Sequence, residues 1–156
     1  MKKELGVQPY LFPMPVLMIA TYDENGKVDV MNMAWGGICA ENMVSLNIDA
    51  DHKTSKNIRE TGAFTLSVAD VAHIEAADFF GIASGNKMED KEEVYGHHVI
   101  GEIVGVLADE KVLDEKGKVD PAKLGAFVFD QFQNGYYAIG EKVGQAWHTG
   151  AGMMKK

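Results

Sequence analysis

Over much of this chain apolar and polar residues alternate with a period of two, in runs too short for anything but small strands. Residues 16–22 are rich in β-branched and apolar types, Asp23-Glu24-Asn25-Gly26 interrupts them, and residues 27–35 run back. Asn-Gly between two such runs predicts a hairpin with a type I′ turn, because both residues tolerate the positive φ it requires. Residues 43–49 place Val44, Leu46 and Ile48 on one face and Ser45, Asn47 and Asp49 on the other. Residues 54–61 read as a short helix, with Thr54 able to cap its entrance and Gly62 placed to end it. Residues 63–69 alternate again, and Asp70 then caps a second helix over 71–81.

The second half continues in the same manner. Residues 97–108, "HHVIGEIVGVLA", are apolar on both faces and predict a buried strand. Asp120-Pro121 predicts a helix start, a cap followed by proline at the first helical position. Residues 125–140 read as strand, Asn-Gly turn, strand. About six or seven strands with two or three short helices, and no β-α alternation, predict a mainly β protein. The expected architecture is an antiparallel barrel or sandwich with helices at its rim. No linker, low-complexity tract or repeat divides the chain, so residues 1–156 are expected to form one domain.

Composition narrows the function. The 156 residues are 46% hydrophobic and 24% charged, and 15 Lys plus Arg against 23 Asp plus Glu leave a net charge of −8. Such a surface repels phosphate backbones and anionic lipid, which disfavours nucleic acid and membrane as partners. A bound anion must be captured by local groups against that field. The one cysteine, Cys39, forms no internal disulfide and reads as a small buried hydrophobe, in keeping with a reducing cytoplasm. Two prolines break the apolar run near the start, so it reads as neither signal peptide nor membrane span.

No glycine-rich dinucleotide fingerprint, phosphate-binding loop or nucleophile elbow is present. The five histidines show no metal-ligand spacing, so no metal is expected. One stretch, residues 32–61, stands out. It sets Trp35 against Gly36 and Gly37, follows with the polar strand face of Ser45, Asn47 and Asp49, and then opens a helix with His52-Lys53-Thr54-Ser55-Lys56. A helix entrance with unpaired N–H groups and basic neighbours suits a phosphate. An ordinary capped helix, a half-exposed sheet and core packing beside a bulge explain the same features singly. Together they describe a flat polar-edged ring against bare backbone, with an anionic tail at the helix entrance.

Four segments carry a family resemblance: "PYLFPMPVLMIATYDENGKVDVMNMAWGGI", "VSLNIDADHKTSKNIRETGAFTLSVAD", "FFGIASGNKMEDK" and "IGEIVGVLADEKVLDEKGKVDPAKL" with the later "GYYAIGEKVGQAWHTG". In this order the chain resembles the flavin reductase-like family of FMN-binding split barrels, within it the flavoredoxin branch. The resemblance implies a split β-barrel, usually a homodimer, that holds FMN near the subunit boundary. It implies that the strand matching Asn32, Met33, Ala34 and Trp35 lies along the isoalloxazine ring, and that Asn47, Ile48 and Asp49 supply contacts at the ring edge. It further implies that His52, Thr54 and Asn57 take the ribityl chain and phosphate, helped by Ser84, Gly85 and Lys91. Trp147-His148 is a weaker candidate for closing the pocket. Between Lys91 and Tyr95 the family carries a further segment, including a strand, that is missing from this sequence. Either it is deleted and its pairing compensated by another segment or a partner subunit, or the protein carries residues there that this sequence does not show; the close flanking match favours the second.

With FMN bound, the flavin carries the redox chemistry and the protein supplies position and tuning, so no catalytic residue is assigned. The expected activity is electron transfer, with a redox protein as partner, or flavin reduction by NAD(P)H. The alternative is a non-enzymatic barrel that binds another planar anion.

Overall fold

The computed structural model describes residues 7–82, 97–146, 148 and 149. Its strands are β1 (Met14–Pro15), β2 (Leu17–Tyr22), β3 (Val28–Met33), β4 (Gly36–Ala40), β5 (Met43–Ile48), β6 (Thr65–Val68), β7 (His97–Glu102), β8 (Phe127–Asp130) and β9 (Gly135–Ala138). The helices are α1 (Lys53–Thr61), α2 (Ile74–Ile82) and α3 (Pro121–Leu124), with 3-10 turns at Val71–His73 and Glu110–Val112. The strands form three antiparallel sheets, β3-β2-β6, β4-β5-β7 and β1-β8-β9.

Alternation along the chain explains how the sheets pack. Leu17, Ile19 and Met33 from the first sheet meet Leu46 and Ile48 from the second in one core. Val16, one residue before β2, points the opposite way and joins Ala69, Ala77 of α2 and Phe127 of β8 in a second core. The start of β2 is therefore shared by both cores. Gly101 in β7 is bare for a packing reason: a Cβ there would lie 2.7 and 2.8 Å from ring atoms of Phe64. Gly101→Ala should cost about 1–3 kcal/mol of stability, as overpacking does. A urea midpoint unchanged from wild type would show that the Phe64 ring swings aside freely.

Several expectations hold. Gly62 ends α1 at φ 67°, with its N–H on the Ile58 carbonyl. Asp70 caps the turn before α2 through the His73 N–H at 3.0 Å, and Asp120 caps α3 through Ala122. Others need correction. The first hairpin does not use a type I′ turn, since Gly26 sits at positive φ and Asn25 does not. Asp23 accepts from the backbone N–H groups of Asn25 and Lys27 at 3.0 and 2.9 Å, which favours a type I turn closed by Gly26. Helix α1 begins at Lys53, with His52 at the cap position and no side-chain cap bond, so Thr54 is not the cap. Cys39 is exposed, not buried, because it lies at a register slip in β4, an edge strand of its sheet.

The predicted strand over 97–108 stops at Glu102, where Ile103 donates to the Asn42 carbonyl. Beyond it Val104, Val106 and Leu107 are 95%, 79% and 101% exposed. The apolar pattern was real, but no described segment of the same chain covers it.

Candidate functional site

Helix α1 docks on the first hairpin through polar contacts. Lys53 pairs with Asp23 at 3.3 Å, the Thr54 hydroxyl donates to Asp29 at 2.7 Å, and the Ser55 hydroxyl donates to the Asp49 carbonyl at 2.7 Å. The Asn57 amide donates to the Thr21 hydroxyl at 2.9 Å. Thr54, Ser55, Asn57 and Thr21 are all buried. The N–H groups of Lys27 and Asn25 and the Lys53 ammonium hold the Asp23 carboxyl below its usual range, against a smaller opposing effect of burial. Since the ionised form is favoured by folding, this contribution is present above the ordinary carboxylate pKa and lost as pH falls through the lowered one.

The ring-strand residues divide by face. Met33 and Ile48 point into the core, which leaves Ala34, Asn47 and Asp49 outward, with Trp35 51% exposed. The Asn47 N–H donates to the Trp35 carbonyl at 2.9 Å, so the two stretches that the sequence singled out lie side by side. A Cβ on Gly36 would meet the Ser45 carbonyl at 3.0 Å, whereas one on Gly37 would meet nothing within 4 Å. Only Gly37 offers open backbone. Asn32 belongs to a different group: its amide donates to the Ala77 carbonyl of α2 at 2.9 Å.

His52 is half-exposed beside Asp49, at 3.9 Å. With Asp51 they bring three possible ligand atoms within 4.8 Å of one another, an exposed turn that a cation could touch but that supplies no enclosing shell. His148 is exposed, its N–H on the Gln145 carbonyl. Ser84, Gly85, Lys91, Trp147 and the junction from Lys91 to Tyr95 lie outside the described residues.

The sequence did not single out Asp78 or Tyr136, yet their side chains pair at 2.9 Å. Burial, then the hydrogen bond and charge of Asp78, raise the Tyr136 pKa above the ordinary tyrosine value, while the Asn32 amide partly offsets this. Folding favours the neutral phenol, so its contribution is complete below the ordinary pKa and lost as pH rises through the raised one. An alkaline titration followed at the phenolate band should lose its latest step in Tyr136→Phe. The same late step in that variant would refute the assignment.

The residues fit a flavin unequally. Open Gly37, exposed Trp35 and outward Asn47 suit a flat ring with a polar edge. At the phosphate end, the hydroxyls of Thr54 and Ser55 donate within the protein, and the first-turn N–H groups of α1, with the basic side chains of His52 and Lys56 nearby, suit an anion. A separate hollow of about 180 Å³ between β2, β6 and α2 is smaller than the ~300 Å³ at which ligand pockets usually begin.

Three antiparallel sheets with a few short helices define the split-barrel class of fold. The sequence matches the family described as flavin reductase like domain over residues 10–108, and the chain belongs to that family. Flavoredoxin of Desulfovibrio vulgaris (Miyazaki F) is 29% identical, with a TM-score of 0.87 over 96% of this chain and all of its own (100%). Flavoredoxin from Methanosarcina acetivorans shares the fold at 21% identity, with a TM-score of 0.85 over 98% of this chain and 100% of its own. A split barrel domain structure from Shewanella frigidimarina NCIMB 400 also shares it, at 18% identity and a TM-score of 0.66 over 85% of this chain and 84% of its own. No curated protein matches the sequence. Among the described residues no helix is long and apolar enough to cross a membrane.

Proposed function

We propose that this chain is an FMN-binding flavoprotein of the cytoplasm, acting in electron transfer or in NAD(P)H-dependent flavin reduction. The observation that carries the reading is the bonded pair Asn47 and Trp35, beside open Gly37 and one turn ahead of the α1 entrance. Bound FMN would supply reversible uptake of electrons as hydride or singly. This chain's own residues bind and tune. Trp35 and the Ala34 backbone lie along the ring, the Asn47 amide meets its polar edge, and the α1 entrance with His52 and Lys56 holds the phosphate. The acidic surface disfavours added negative charge on the ring, whereas N–H donors at its edge favour it.

The test is optical. Purified protein given FMN should turn yellow and quench the flavin's fluorescence. Anaerobic NADH or NADPH should then bleach the band if the chain is a reductase, while a carrier is bleached only by a reduced redox protein or dithionite. Protein that takes up no flavin overturns the proposal.

The working unit in this reading is a homodimer. Two exposed surfaces support it: the run Val104, Val106 and Leu107, and the ring cluster of Tyr10, Phe12, Phe132 and Tyr137, whose rings lie 4.9 to 6.3 Å apart. Covering either removes apolar area from water, and stable pairs bury roughly 1,600 Å² in total. Light scattering at micromolar concentration should give twice the chain mass. A flavin-loaded monomer would refute the dimer while leaving the cofactor assignment intact.

A further inference from the structure

Asn32, Asp78 and Tyr136 come from β3, α2 and β9 and meet at one point. The Tyr136 hydroxyl donates to Asp78 Oδ1 at 2.9 Å, and the Asn32 amide donates to the carbonyl of the preceding residue, Ala77, also at 2.9 Å. Ala77 and Asp78 are consecutive on α2, so the two bonds meet on one turn of that helix. The Tyr136 ring is held by Phe127 and Phe129, with centroids 5.1 and 5.9 Å away. A single turn of α2 thus ties strands from two sheets.

Apolar packing already anchors this turn, since Ala77 lies in the second core with Val16, Ala69 and Phe127. Half-buried polar groups give little net stability over such packing; what they add is orientation. Here the orientation is that of Asn32, which stands on the strand leading into Ala34 and Trp35. Its amide nitrogen is fixed towards α2. Its Oδ1, an acceptor with no proton of its own, therefore faces elsewhere.

We propose that Asp78 and Tyr136 are positioning residues of the flavin site, holding β3 in place and presenting Asn32 Oδ1 as an acceptor for a hydrogen-bond donor of the flavin. The proposal rests on the flavin reading above. A flavin offers two kinds of donor, the N3–H of its ring and the hydroxyls of its ribityl chain.

The test uses the full chain with riboflavin, its 3-methyl derivative and lumiflavin, which lacks the ribityl hydroxyls. Tyr136→Phe and Asp78→Ala should each weaken riboflavin about tenfold, as loss of one positioned hydrogen bond does, and should alter the bound flavin's visible circular dichroism. Asp78→Asn keeps an acceptor for the Tyr136 hydroxyl and should restore both. If the ring N–H is the partner, 3-methylriboflavin binds wild type worse than riboflavin, and Asn32→Ala abolishes that difference. If a ribityl hydroxyl is the partner, the discrimination that Asn32→Ala abolishes is the one against lumiflavin. A lowered melting temperature with unchanged affinity and spectrum in Tyr136→Phe and Asp78→Ala would reduce the triad to a structural tie and overturn the proposal. Asn32→Ala leaving both discriminations intact would overturn the acceptor role. Wild type that binds no flavin would sink the reading of the site itself, an outcome distinct from these.

Discussion

Leu46→Ala should lower the unfolding free energy by about 2–5 kcal/mol and Phe127→Ala by about 3–5 kcal/mol, the usual cost of emptying a buried site. Leu46 is 0% exposed and Phe127 2%, and Phe127 is the largest buried side chain of its core. Leu46 also fills the space against Gly36, where a Cβ would lie 3.2 Å from its side chain, so truncation leaves a void that a glycine cannot close. With total stabilities of roughly 5–15 kcal/mol in small domains, either loss is a large fraction of the whole. The two cores have no buried residue in common but meet at consecutive positions 16 and 17, so the double variant tests their independence. Additive losses with an unchanged denaturant slope would mean two independent clusters inside one cooperative unit. A loss at Leu46 under about 1 kcal/mol would contradict its place in a close-packed core.

What could be read from the sequence was local. Strands β2, β3, β5 and β6 announced themselves by alternation, and Gly62, Asp70 and Asp120 by chemistry that acts within a few residues. Strand β4 did not, because Gly36-Gly37 carries no side-chain pattern and its pairing depends on β5. The group formed by Trp35, Asn47 and the α1 entrance was legible as a set, since all belong to one continuous stretch. The partners of its members were not. Thr54 gives its proton to Asp29, 25 residues away, and Asn57 to Thr21, 36 away. Tyr136 finds Asp78 across 58 residues, a pairing that no local pattern encodes. The general signal was the need of a half-buried tyrosine hydroxyl for a partner, which says that one exists without naming it. The exposed run after Glu102 failed for another reason: an apolar run reports that a surface avoids water, not which segment covers it.

FMN should bind more tightly than riboflavin by tenfold or more, the effect of one charge-assisted hydrogen bond of about 1.5–3 kcal/mol to the phosphate. Four carboxylates surround the α1 entrance and oppose an anion there. They are Asp23, which pairs with Lys53, Asp29, which accepts from Thr54, Asp49, which lies near His52, and Asp51. The donors of the entrance contact a phosphate directly, whereas the charge of Asp23 is offset by Lys53 and exposed Asp49 is screened across water within about 8 Å at physiological salt. Direct contact should win. The structure also changes what is expected of Thr54, which belongs to this end of the site through its backbone N–H, its hydroxyl being held by Asp29. Thr54→Val should leave the ratio of FMN to riboflavin affinity unchanged, and should cost about 1–3 kcal/mol of stability by depriving the Asp29 carboxylate of its donor. His52→Ala and Lys56→Ala should narrow that ratio instead. Equal affinities for the two flavins in wild type, by fluorescence quenching, would move the phosphate away from α1. A Thr54→Val variant that weakens FMN alone would mean that its hydroxyl leaves Asp29 for the phosphate when the ligand binds.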